Sequence, residues 1–89
     1  MKDVGAKVTF KLFATLQDYL PAEARKTNAL TLDLADGTTV AQIVERFALP
    51  LKLVHLVLID GTFIAPADRA DRVLKDGETL AIWPPVAGG

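Results

Sequence analysis

Only one stretch of this sequence has the pattern of a helix able to cover a sheet. Thr39-Val40-Ala41-Gln42 has the form of a capping box, a Thr at the N-cap with a Gln three residues on. Behind it Val40, Ile43, Val44 and Phe47 fall at i, i+3, i+4 and i+7 of one face, with Glu45 and Arg46 on the wet side. Pro50 stops the helix shortly after Ala48. One amphipathic helix has one stripe to bury, and most of the other apolar residues alternate at a period of two. The stable solution is a single sheet with that helix packed on one face, a two-layer α+β domain.

Strands flank the helix on both sides. Lys7-Val8-Thr9-Phe10-Lys11-Leu12 alternates, with Val8, Phe10 and Leu12 on one face. Ala14 to Leu20 reads as a short helical turn packing Leu16, Tyr19 and Leu20, which Pro21 ends, and Ala22 to Asn28 as a polar surface loop. Leu30, Leu32 and Leu34 mark a second strand, closed by Asp36-Gly37. Beyond the helix, Val54 to Ile59 is a β-branched and leucine-rich run, a strand buried on most of its length. Asp60-Gly61 turns it into the short return strand Thr62-Phe63-Ile64. Pro66 to Lys75 is irregular, with Val73 and Leu74 as core plugs, and Asp76-Gly77 leads into the last strand, Thr79 to Trp83. The order strand, strand, helix, strand, strand, strand in 89 residues is that of the β-grasp (ubiquitin-like) fold, a mixed sheet of about five strands with one main helix. Residues 1–83 form that domain, and 84–89 a flexible C-terminal tail ending in Gly-Gly.

Several function classes drop out on composition. Ten Lys and Arg against 11 Asp and Glu give a net charge of −1, which disfavours a nucleic-acid binder. There is no Cys, so disulfides, thiolate metal sites and a Cys nucleophile are excluded, and the single His55 makes a histidine-built metal site improbable. His55 itself reads as a surface or satisfied core histidine. No Gly-rich loop followed by Lys and Ser/Thr offers a phosphate cradle. No apolar stretch approaches the roughly 20 residues of a membrane span, and the charged N-terminus lacks the apolar core of a secretory signal, so a cytoplasmic location is expected.

Any chemistry is concentrated in Pro84-Pro85-Val86-Ala87-Gly88-Gly89. The two prolines cannot donate to a ladder, so they end the last strand and hold the chain extended. At about 3.1 Å per residue this tail reaches roughly 19 Å from the body. Gly88 and Gly89 lack a Cβ, which lets a terminal carboxylate enter a slot too narrow for other residues.

The chain resembles the MoaD/ThiS group of ubiquitin-like sulfur carriers over nearly its whole length. The likeness rests on Val8-Thr9-Phe10-Lys11-Leu12-Phe13-Ala14 running into Leu16 and Tyr19, and on Gly37-Thr38-Thr39-Val40 opening the helix. It continues through Asp76-Gly77-Glu78 and ends in Ile82-Trp83-Pro84-Pro85-Val86-Ala87-Gly88-Gly89. The Pro-Pro-Val-small-Gly-Gly ending looks most like the small subunit of molybdopterin synthase. Trp83 stands where the family more often has Phe, and the 21–28 loop is comparatively long.

The resemblance implies a carrier whose Gly89 carboxylate is adenylated by an E1-like enzyme of the MoeB/ThiF type and converted to a thiocarboxylate. The ATP and magnesium are the partner's; this chain binds no cofactor itself and is not catalytic alone. A large synthase subunit of the MoaE type would then receive the tail and pass the sulfur to the molybdopterin precursor. Trp83, Pro84, Pro85, Val86, Ala87, Gly88 and Phe63 would make the partner contacts. Trp83 either anchors a partner or packs on the sheet, and of Phe63 and Ile64 at least one is expected in the core. Arg69, Arg72 and Lys75 form a small basic cluster, either solvated surface or a match for an acidic groove. Delivery to thiazole synthesis or tRNA thiolation, conjugation to protein lysines, and a plain binding module are the rival functions. At the core, Phe47→Ala is expected to cost about 3–5 kcal/mol.

Overall fold

A computed structural model of the chain describes residues 5–85. Its first strand, β1 (Ala6–Leu12), lies near the middle of a five-stranded mixed sheet. Antiparallel β2 (Ala29–Leu34) flanks it on one side and parallel β5 (Thr79–Trp83) on the other. β3 (Leu56–Ile59) pairs antiparallel with β5, and the two-residue β4 (Thr62–Phe63) closes the far edge, giving the order β2-β1-β5-β3-β4. With one helix across a single face, this is the β-grasp arrangement.

Alternation sorts the two faces. Val8, Phe10 and Leu12 of β1, Leu80 and Ile82 of β5, and Val57 and Ile59 of β3 are all buried beneath the helix. Each such side chain contributes about 1.5–3 kcal/mol through removal of apolar surface from water. Helix α2 (Val40–Arg46), which follows the short α1 (Ala22–Arg25), adds Val40, Ile43 and Val44 to the core.

The start of α2 leaves no backbone donor unpaired. Thr39 Oγ1 accepts from Gln42 N–H, and Gln42 Oε1 accepts from Thr39 N–H, so the capping box forms in both directions. The Val40 and Ala41 N–H groups donate to the carbonyls of Arg72 and Arg69, and Ile43 N–H to Thr39 O. The irregular 66–75 segment thus caps the helix from outside, and it sends buried Leu74 into the core while Val73 is half-buried.

The helix is shorter than its apolar stripe. Phe47 is its C-cap, and Ala48 takes a left-handed φ of 54° so that Ala48 and Leu49 N–H close back on Glu45 and Val44 O. That 5→2 and 6→1 pair is a Schellman motif, with the customary contact between Leu49 and Val44 in the core. Phe47 is therefore only half-buried, packed tilted on Phe10 at 4.8 Å between ring centres.

Two further readings change. The expected 22–28 loop contains α1 (Ala22–Arg25), which buries Ala24. Arg25 Nε and Nη2 donate to Leu20 O and Asp18 O, tying α1 to the preceding 3₁₀ turn over Ala14–Tyr19. Leu16 and Leu20 are buried as expected, Leu20 one residue past the end of the turn, but Tyr19 stays 38% exposed. The Asp60-Gly61 turn is as expected: φ is positive at both residues (50° and 85°), the type I′ geometry that suits the twist of a hairpin. Among the described residues no helix is long and apolar enough to cross a membrane.

Candidate functional site

The face of the sheet turned away from α2 carries a gradient of polarity along the strands. At one end Lys7 and Asp33 pair at 3.4 Å on exposed β1 and β2. Next come Thr31, Thr9 and Thr79 in register across three strands. The row after that is Lys11, Ala81, Leu58 and Phe63, and the last contains Trp83 and Leu56. The apolar end of the face is thus the end at which β5 releases the chain into Pro84 and Pro85.

Phe63 is 54% exposed, Leu56, Leu58 and Trp83 are half-buried, and Ile64 is buried. Of the Phe63–Ile64 pair, then, Ile64 is the core residue and Phe63 belongs to the open face. Val54 to Ile59 had read as a strand buried on most of its length. The observed strand starts at Leu56, and Leu56 and Leu58 lie on the open face. A run that is apolar at every position does not reveal which residues face which way. The residues missed there are recoverable only once a single helix is known to leave one face bare.

The point of departure is held from both neighbouring strands. Phe13 N–H donates to Ile82 O and His55 N–H to Trp83 O, each at 3.2 Å. The Trp83 ring stacks on Phe13 with 4.3 Å between centres and 5° between planes. Ala14, directly after Phe13, sits at a φ of 54°, a conformation costly for a residue with a Cβ. Pro84 is half-buried and Pro85 exposed. Trp83 therefore packs on the sheet through Phe13, a partner that pattern reasoning did not single out, and still leaves part of its ring at the surface. His55 itself is exposed. Val86, Ala87, Gly88 and Gly89 lie outside the described residues.

The Arg69, Arg72 and Lys75 cluster is not a free basic patch. Arg69 donates from its guanidinium to three carbonyls, Ile64 at 3.1 Å, Val54 at 3.3 Å and His55 at 3.1 Å. Burial lowers its pKa from the ordinary guanidinium value. Arg72 forms a bidentate pair with Glu78, at 2.7 and 3.3 Å, and also donates to Val73 O. Burial alone would raise the Glu78 pKa. The Arg72 hydrogen bonds, the Lys75 N–H at 2.8 Å and the charges of both basic residues overrule it and hold the carboxyl below its ordinary value.

Asp60 and Asp76 do more than shape turns. Asp60 Oδ1 accepts from Thr79 N–H at 2.9 Å and Asp76 Oδ1 from Lys7 N–H at 2.8 Å, so each pins a strand end. These carboxylates are spent on structure rather than on acid–base work. Among the described residues no group of three or more His, Asp or Glu is placed to hold a metal ion. What the arrangement offers is a half-apolar surface leading to a rigidly held chain exit.

A sequence profile of the ThiS family matches residues 10–89. No curated protein matches the chain. The Haloferax volcanii HVO 2177 protein, solved in solution, superposes with a TM-score of 0.70 at 22% identity, over 96% of this chain and 88% of that one. Small archaeal modifier protein 1 (SAMP1) from Methanosarcina acetivorans gives 0.64 at 26% identity, over 97% and 99%. Urm1 from Trypanosoma brucei gives 0.66 at 20% identity, over 99% and 100%. At their identities the first and third of these likenesses speak for the fold alone.

Proposed function

Because this chain belongs to the ThiS family, whose fold is that of the ubiquitin-like sulfur carriers, we propose that it carries sulfur on Gly89 for molybdopterin synthesis. The observation behind this reading is the family match itself, which runs from Phe10 through Gly88 and Gly89. The route to molybdopterin draws its support from the Pro84-Pro85-Val86-Ala87-Gly88-Gly89 sequence, which looks like that of a synthase small subunit.

A carboxylate is a poor electrophile and must first gain a leaving group. In the proposed reaction a Gly89 carboxylate oxygen attacks the α-phosphorus of ATP on an E1-like partner, and pyrophosphate departs. A hydrosulfide-level donor then attacks the acyl carbon, the carbon–oxygen bond to AMP breaks, and a thiocarboxylate remains. ATP and magnesium are the partner's reagents. On the large synthase subunit the thiocarboxylate sulfur displaces an oxygen substituent from a carbon of the pterin precursor. Water attacking the acyl carbon breaks its bond to sulfur, leaving the sulfur on the pterin and restoring the Gly89 carboxylate. This chain contributes reach and placement: an extended exit, two small residues at the tip, and a surface beside the exit on which Phe63, Leu58, Leu56 and Trp83 meet a partner.

Intact mass settles the class. After incubation with ATP, magnesium, hydrosulfide and an E1-like enzyme, the mass should rise by one sulfur-for-oxygen exchange, and the Gly89-deleted chain should show none. Adding a large synthase subunit and the pterin precursor should return the mass to its starting value. Transfer by the Gly89-deleted chain at the full rate would refute the tail mechanism. The likeness to small archaeal modifier protein 1 favours a second reading, in which Gly89 is joined to lysines of other proteins. That reading predicts a protein-sized adduct in the same experiment.

A further inference from the structure

Arg69 stands where three parts of the fold meet. Its carbonyl accepts the Ala41 N–H at the start of α2. Its guanidinium bridges Val54 and His55, which precede β3, to Ile64, which follows β4. All three acceptors lie just outside the strands, on the chain entering β3 and leaving β4. A planar fork of fixed geometry suits this task, since it spans several acceptors at once with little loss of freedom. Bonds from a cation to carbonyls are also stronger than neutral ones.

One of these carbonyls leads to the tail. The Val54–His55 peptide, which receives Nη1 at the Val54 oxygen, gives its N–H, that of His55, to Trp83 O, the last carbonyl before the prolines. Pro84 and Pro85 have no N–H with which to fasten themselves. The direction of the exit is therefore set at Trp83, by the bond from His55 and by the stack on Phe13. Arg69 holds the His55 side of that grip.

We propose that Arg69 is a positioning residue for the tail, fixing the Val54–His55 peptide and through it the line along which the chain leaves the sheet. The proposal rests on the reading of Gly88-Gly89 as the working end. An error of an ångström in presenting a reacting group costs up to about 100-fold in rate. The open face that meets the partner is made by other residues, so Arg69 should govern turnover more than affinity.

The test uses the full chain with Arg69→Gln, Arg69→Lys and, as a control, Arg72→Gln. The control breaks the Glu78 pair, a comparable internal bond remote from the His55 link. Trp83 is the only tryptophan, so near-ultraviolet circular dichroism reports its stacking directly. Far-ultraviolet spectra fix a temperature at which every variant is folded. Arg69→Gln should change the Trp83 signal and lower kcat for thiocarboxylate formation about 10-fold, with KM within about 2-fold. Arg72→Gln should leave both near the unaltered chain, whatever its loss of stability. Arg69→Lys, one point charge in place of a fork, should fall between, and it carries the test under the same criteria if Arg69→Gln does not fold. An unchanged Trp83 signal, or a kcat no lower than that of Arg72→Gln, overturns the proposal. If the unaltered chain gains neither sulfur nor an adduct, the functional reading fails instead, and the Trp83 signal still decides whether Arg69 sets the exit.

Discussion

Phe10 and Phe47 touch at 4.8 Å, yet they are not equivalent residues. Phe10 is fully enclosed under α2, whereas Phe47 caps the helix and keeps part of its ring in water. Phe10→Ala should cost about 3–5 kcal/mol and Phe47→Ala about 2–3, because the second leaves a cavity that is already open on one side. Urea unfolding of the two variants checks the ranking, and an equal loss would show that the rim position is sealed. Glu78 carries a different prediction. Its carboxyl is held below the ordinary value, so the folded state binds its proton less readily than the unfolded chain does. The stabilisation is present above an unfolded value of about 4.5 and is lost as pH falls through the folded one. The gap in Tm between the natural chain and Glu78→Gln should shrink between about pH 6 and pH 3. A gap independent of pH would mean that Arg72 does not hold the carboxylate. Neither Arg72 nor Arg69 could have been placed from the sequence. The run 69–75 shows basic residues in a polar segment, and apart from the neighbouring Val73 carbonyl the acceptors they find are 5 to 15 residues away in the chain.

Thr39 and Ala48 bound the one long helix, and both ends make quantitative predictions. Thr39→Ala should lower stability by about 1 kcal/mol, and Thr39→Ser should restore most of it, since the hydroxyl is what accepts the Gln42 N–H. Ala48→Gly runs against the usual effect of glycine near a helix. At a φ of 54° the methyl is a burden, and its removal should stabilise by about 0.5–1 kcal/mol despite the greater freedom of the unfolded chain. Thermal melts of both variants are the measurement, and a destabilising Ala48→Gly would contradict the Schellman geometry. This helix was legible because its periodicity and cap agree with one another. The strands Lys7–Leu12 and Leu30–Leu34 were legible because polar residues mark the exposed face at every second position. Where local pattern is silent the reading failed. α1 has four residues and no stripe, and its place is set by Arg25 reaching back to Leu20 and Asp18 rather than by propensity. In β3 every side chain is apolar, so Leu56 and Leu58 gave no sign of facing outward.

On the scale of the molecule the two strands with most to bury, β1 and β5, lie side by side and parallel although they come from opposite ends of the described chain. The tail that follows β5 is expected to matter to function and not to stability. Removal of Gly88 and Gly89 should leave unfolding by urea within about 0.5 kcal/mol of the natural chain, the range of changes that touch no core. A larger loss would show that the tail packs on the body. The fold class could be anticipated from element order alone, because one helix and five short strands admit few compact solutions. The central place of β5 also has a bearing on synthesis. A chain made from its N-terminus has β1, β2 and α2 in hand before residues 79–83 emerge, but the gap between β1 and β3 stays unfilled until they do. Folding must wait for the strand that carries the exit, so a copy still short of residues 79–83 has no assembled open face, and the exit and the surface beside it come into being together.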